Sequence, residues 1–150
     1  MKDSNLFASE LSASRHIFHR HHFCRGNSNK RKTRIGIILK GSGTYIYLSK
    51  KLKVSQGDVV FIPENIYCYS EWQGDPEIEV LYISCFLHYD GLFYEPQTVQ
   101  CDEEVKQNIL KISNLLQQDY LAGLEAYSLF YKVLQSILPQ MVQSGIAFDK

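Results

Sequence analysis

Near residue 101 the spacing of the apolar residues changes period, and that change restricts the chain to few architectures. Before it, short alternating or wholly apolar runs stand between turn residues, the pattern of β-strands. Residues 33–39 read as a strand closed by Gly41-Ser42-Gly43, and 44–48 alternate before a polar Ser49-Lys50-Lys51 bend into 52–54. Gln56-Gly57-Asp58 turns into 59–62, which Pro63-Glu64-Asn65 ends; 67–72 and 78–87 then flank a Gly74-Asp75-Pro76 turn. Residues 15–24 add an outer strand. Beyond residue 101, Val105, Ile109, Ile112, Leu116 and Tyr120 recur at helical spacing, with Asp102 as N-cap, Glu103 and Glu104 in the first turn and Gly123 as C-terminal cap. A second helix carries Ala126, Phe130, Val133, Ile137 and Met141, and Pro139, which lacks the N–H of the helical ladder, kinks or ends it. A mostly β barrel or sandwich with an appended antiparallel helix pair satisfies both periods.

With 150 residues, 45% of them hydrophobic, the chain suits one domain with a real core. Its longest apolar runs are too short to cross a bilayer, and no apolar stretch follows Met1 to act as a secretion signal, so we expect a cytoplasmic protein. Net charge is zero, yet the charges are segregated. Residues 11–57 hold eleven Lys or Arg and no acid; residues 58–104 hold eleven acids and no Lys or Arg. Early strands paired with later ones would neutralise this asymmetry, while a basic surface for an anionic partner is the other reading. Cys24, Cys68, Cys85 and Cys101 show no C-x-x-C pair and read as small buried residues kept reduced.

The run Ile35-Gly36-Ile37-Ile38-Leu39-Lys40-Gly41-Ser42-Gly43-Thr44-Tyr45, followed by Gln56-Gly57-Asp58-Val59-Val60-Phe61-Ile62-Pro63, resembles a cupin, a jelly-roll β-barrel. Together with the helix pair, the chain resembles the N-terminal sensing and dimerisation domain of AraC-type bacterial transcription regulators over residues 15–145. The resemblance implies a cupin-like barrel at 15–101 that takes a small-molecule effector, preceded by an N-terminal arm at 1–14. It also implies a helix pair at 102–145 that makes a homodimer. Residues 146–150 would be a tail, or the start of a linker to a helix-turn-helix domain absent from this chain. On this view the chain is a piece of a longer regulator that reaches operator DNA only through that domain, and it is not an enzyme.

The alternative is a metal-dependent cupin enzyme. With Gly41 as the glycine of the first metal motif, Arg34 falls at the Glu position, and Asn27 and Asn29, or Ser28 and Lys30, at the His positions. In the second motif Asn65 replaces a glycine and Cys68 a histidine, so no motif ligand survives and we expect no metal or other cofactor. The tract His16, His19, His21, His22 and Cys24 offers an i, i+2 histidine pair, with Arg20 and Arg25 among these groups disfavouring a cation.

For the effector, the candidate residues are Arg20, His22, Arg25, Tyr45, Tyr47, Tyr69, Leu81 and Ile83. Of the two alternating sets in the last long strand, Leu81 and Ile83 occupy the positions that face a sugar in the family, which argues against pentoses. A more apolar effector, or one with an anionic end met by Arg20 or Arg25, fits better. On the helices, Leu115, Leu129, Leu134 and Leu138 widen the apolar stripes and, with Leu116, are the candidate dimerisation residues.

Overall fold

The computed structural model describes residues 6–25, 32–64, 66–88 and 94–143. It is mostly β, a nearly closed barrel-like sheet followed by two helices. The strands are β1 (Phe7–Cys24), β2 (Thr33–Lys40), β3 (Ser42–Tyr47), β4 (Lys50–Ser55), β5 (Val59–Ile62), β6 (Tyr69–His88) and β7 (Gln97–Val99). The helices are α1 (Glu103–Leu115) and α2 (Tyr120–Ile137), with a short 3-10 turn at Leu138–Gln140 that contains Pro139.

β6 organises the sheet. Along one edge it pairs antiparallel with β1 over nearly the whole length of both strands. Its other edge pairs first with β3, at residues 69–73, and then with β2, at residues 79–85. β4 extends the first half and β5 and β7 the second. The strand runs through Gly74-Asp75-Pro76, where a turn was expected, so two anticipated strands are one. β1 begins at Phe7, so residues 7–14 belong to the sheet rather than to the arm expected at 1–14. Gly41 and Gly57 have φ of +86° and +93°, the left-handed corners that glycine adopts without a Cβ clash.

Both faces of the central strands are covered, which explains the unbroken apolar run in β5. Ile35 and Ile37 of β2, Val59 and Phe61 of β5, and Leu81, Ile83, Cys85 and Leu87 of β6 form one core with the helices. The alternate residues, Ile38, Val60, Ile62, Ile78, Val80 and Tyr82, join Tyr45 and Trp72 in a second core inside the barrel.

Asp102 caps α1 by accepting from the Val105 N–H at 2.9 Å, as expected. The first helix stops at Leu115, however. Asp119 caps a new helix through the Ala122 N–H, so Gly123 lies in the first turn of α2 and ends nothing, and Tyr120 is an exposed first residue rather than part of the α1 stripe. Local capping by Asp119 outweighs the propensity signal of a lone glycine.

Candidate functional site

Antiparallel pairing of β1 with β6 brings two alternating sets into register on the inner face. Ser14 lies opposite Tyr82, His16 opposite Val80, Phe18 opposite Ile78, His22 opposite Trp72 and Cys24 opposite Ser70. These residues, together with Arg34 of β2, line a partly open cavity of about 190 Å³. Two glycines make room for its aromatic floor. A Cβ on Gly36 would come within 2.8 Å of the Tyr82 ring, and one on Gly43, across from Trp72, would run into the indole. The Tyr82 hydroxyl hydrogen-bonds that of Tyr45, and the Trp72 N–H donates to Ser70 Oγ at 2.9 Å.

The cavity is cationic as well as aromatic. The Arg34 guanidinium sits 5.3 Å from the centre of the Tyr82 ring. His16 meets the same ring edge-on at 5.7 Å, and Phe18 stacks on His22 at 3.4 Å between centroids. Partial burial, then Arg34, then His22 push His16 below the ordinary histidine value of 6.5. Burial raises Tyr82 and Tyr45, so both phenols stay neutral. No Asp or Glu lines this cavity among the described residues. Such a site suits a small organic anion with an apolar body: Arg34 for the charge, the aromatic floor for the rest.

Of the eight candidate effector residues, only His22 lines the cavity. Leu81 and Ile83 face the helices, buried in the outer core, because the antiparallel register turns the other alternating set inward; the argument they carried against pentoses falls with them. Arg20 occupies a left-handed bulge (φ +64°) where the register between β1 and β6 shifts, and Arg25 is exposed at the end of β1; neither joins the cavity lining. Tyr45 lies beneath the cavity. Tyr47 is buried away from it with its hydroxyl donating to the Pro96 carbonyl, and Tyr69 packs with Phe23 and Tyr67 outside the cavity lining. The cavity residues that the sequence reading does not name as effector candidates are Arg34, His16, Phe18, Trp72 and Tyr82; His16 and Phe18 share the strand face of His22, and Tyr82 belongs to the set that alternates with Leu81 and Ile83.

Other expectations are settled in part. Arg15 pairs with Glu79 at 3.2 Å, Lys40 with Glu77 at 2.7 Å and Lys50 with Glu95 at 3.3 Å, so the basic early strands do neutralise later acids. Cys24 is exposed rather than buried, while burial and Glu64 push the Cys85 thiol up to about 12. Asn27, Ser28, Asn29, Lys30 and Asn65 lie outside the described residues. Leu115 and Leu134 are buried in the core between helices and sheet and present no surface to a partner; Leu116, Leu129 and Leu138 pack partly against that core. The exposed apolar residues of α2 are instead Tyr120, Leu121 and Leu124 near its start, with Tyr131 at the margin. No helix among the described residues is long and apolar enough to cross a membrane.

No protein-family model matches the chain, and no curated protein matches its sequence. Its fold does have solved counterparts. ToxT from Vibrio cholerae is similar with a TM-score of 0.60 at 11% identity, over 93% of this chain and 60% of that one. ToxT of the same organism with an unsaturated fatty acid bound gives 0.57 at 15% identity, over 90% and 57%. ToxT bound to (E)-4-(8-methylnaphthalen-1-yl)but-3-enoic acid gives 0.57 at 12% identity, over 83% and 57%. The chain thus spans 57–60% of the length of these proteins, and the likeness is one of fold. ToxT is an AraC-family regulator, and the matched part is its N-terminal ligand-binding region.

Proposed function

We propose that this chain is the effector-sensing and dimerisation part of an AraC-type cytoplasmic transcription regulator, non-catalytic and without a cofactor. Its effector is a small organic anion with an apolar body. The observation that carries the reading is the Arg34-bearing aromatic cavity inside the barrel. The acids bound by ToxT, the fold counterpart, have the same two-part chemistry. The metal-dependent cupin alternative fares worse, because the Arg34 guanidinium in the same cavity repels a divalent cation.

β1 gives such a sensor a route for its signal. One end of the strand supplies His16, Phe18 and His22 to the cavity. The other end is fastened to α2: the Ala8 N–H donates to the Tyr131 hydroxyl at 2.9 Å and the Leu11 N–H to that of Tyr127 at 3.0 Å. A bulge at Glu10 (φ +53°) breaks the β1–β6 ladder at this point, and Leu11 lies within the break. A ligand that moves β1 therefore acts on the helix pair. The homodimer is assigned to the exposed start of α2, and operator DNA to a helix-turn-helix domain outside this chain. Replacing Leu121 and Leu124 with Glu should turn a dimer into a monomer in sedimentation; an unchanged assembly state would remove this face from the interface.

Trp72, the only tryptophan of the chain, reports on the cavity directly. Titration with octanoate should change its fluorescence saturably, and Arg34→Ala should weaken that binding by about tenfold, the scale of one charge-assisted contact. Saturable binding of arabinose with no response to octanoate would refute the reading.

A further inference from the structure

Among the described residues, the cavity holds one permanent cation and, beside it, a histidine with no acid to compensate a second charge. His16 sits at the mouth, in contact with Tyr82 and within the field of Arg34. Its Nε2 lies 3.2 Å from the Ser14 hydroxyl. The groups facing it are Ser14, His22 and Cys24 from β1, Arg34 from β2 and Tyr82 from β6, with Tyr45 of β3 behind Tyr82. None of these is a carboxylate. The nearby acids of β6 are committed elsewhere: Glu79 to Arg15 and Glu77 to Lys40. Glu71 shares a separate shallow depression with His21 and His22, and His16 is not among the residues lining it. An anion placed between Arg34 and His16 would change this balance, because it adds an attractive charge that offsets the repulsion from Arg34.

We infer that His16 is a specificity-determining residue of this site: it takes up a proton together with the bound anion, so that the pocket prefers organic anions to neutral amphiphiles and grips them harder as pH falls. The inference rests on the reading of the cavity as the effector site. It adds that the ligand's charge is read by a pair, the fixed charge of Arg34 and an inducible one on His16. The proton comes from solvent and is held on the imidazole while the anion is bound, and no bond to the ligand forms. Discrimination follows, since a neutral molecule of the same shape gives His16 no reason to charge. For one linked proton, affinity gains up to about tenfold per unit of pH across the window between the free and bound titrations of His16.

The test uses octane-1-sulfonate, whose charge is constant over the range, with 1-octanol as neutral control. Calorimetric titration at about pH 7, in buffers of different ionisation enthalpy, counts the protons taken up. We expect a net uptake approaching one proton per sulfonate, tighter binding at about pH 6 than at about pH 8, and neither effect for octanol. His16→Gln should bind the sulfonate with a flat pH profile and no proton uptake, while His88→Gln, whose ring stacks on Phe7 outside the cavity lining, retains most of the wild-type pH dependence and proton uptake. Sulfonate binding of equal strength at both pH values with no proton uptake would overturn the role of His16 and leave the pocket reading standing. Octanol binding as tightly as the sulfonate at about pH 6 would overturn the claimed selectivity. Absence of sulfonate binding at either pH, with Trp72 fluorescence unmoved, would overturn the pocket reading and this inference together.

Discussion

The two faces of β6 are built from the same ten-residue stretch and do opposite things. Leu81, Ile83, Cys85 and Leu87 enter a hydrophobic core closed by α1 and α2. Ile78, Val80 and Tyr82 face the barrel, where the packing is interrupted by a cavity and by Arg34, His16 and His22. The outer face has residues that fill space; the inner face has residues that leave space and place charge beside it. Alternation along one strand thus divides stability from ligand chemistry, and a change on either face should register mainly on its own side.

The strongest test of this division is on the helix side. Phe130 of α2 is fully buried among the outer-core residues, and Phe130→Ala should cost about 3–5 kcal/mol in urea unfolding. The variant's remaining folded fraction should still bind octanoate with near wild-type affinity. A large loss of affinity at constant folded fraction would show that the two faces are coupled through the sheet rather than separable.

A smaller and mixed effect is expected at Gly36, which lies on the inner face. Its missing side chain lets the Tyr82 ring lie against β2, with Val60 Cγ1 3.2 Å from where a Cβ would stand. Gly36→Ala should cost about 1–3 kcal/mol as Tyr82 is displaced. Because Tyr82 is part of the floor, octanoate affinity should fall as well, in contrast to the helix-side variant. A neutral outcome in both measurements would mean the ring can shift freely and does not define the cavity.

How much of this could be read from the residues differs between the two faces. The helix side was legible: Ala126, Phe130, Val133, Ile137 and Met141 are buried as their spacing requires, and Asp102 caps α1. The likeness of residues 35–63 to a sensing barrel agrees with the fold of the ToxT ligand-binding region. The cavity was not legible, for a physical reason. When a strand is covered on both sides, Val80 and Leu81 look equally apolar, and only pairing register decides which faces the barrel. A one-residue choice of phase moves every side chain to the other face. The residues alone therefore point to Leu81 and Ile83 as pocket residues, and show Arg34 only as a charge that disfavours a metal. The leucines of α1 and α2 mislead similarly, since a wide apolar stripe records two buried contacts without saying that the neighbouring helix of the same chain provides one of them.

Arg34 separates charge from packing more sharply than either substitution above. It is half-buried and stacked on Tyr82, and among the described residues its side chain makes no ion pair. Arg34→Met keeps an apolar stem over the ring and removes the charge. Stability should change by less than about 1 kcal/mol, the ordinary range for such a site. Octanoate binding should weaken by about tenfold while octanol binding is unaltered. If octanol binding fell equally, Arg34 would be a packing residue and the contrast between the faces would lose its electrostatic half.

The smallest effect concerns the free protein and acid. His16 is held below 6.5 in the fold by partial burial, Arg34 and His22, so the unfolded chain takes a proton before the native one does. The unfolded state then binds more protons, and the stability His16 contributes is present above pH 6.5 and lost as pH falls through the window beneath it. Glu77, depressed by Lys40, adds a separate loss only at lower pH, below its ordinary 4.5. Urea unfolding at about pH 7.5 and about pH 5.5 should therefore show a modest acid destabilisation that His16→Gln reduces. Saturating octane-1-sulfonate should reverse its sign for the wild type, because the bound anion makes the protonated imidazole the favoured form. Retention of the full acid destabilisation in His16→Gln would clear His16 of the effect, and the proton-linked role assigned to it on the inner face would lose its support.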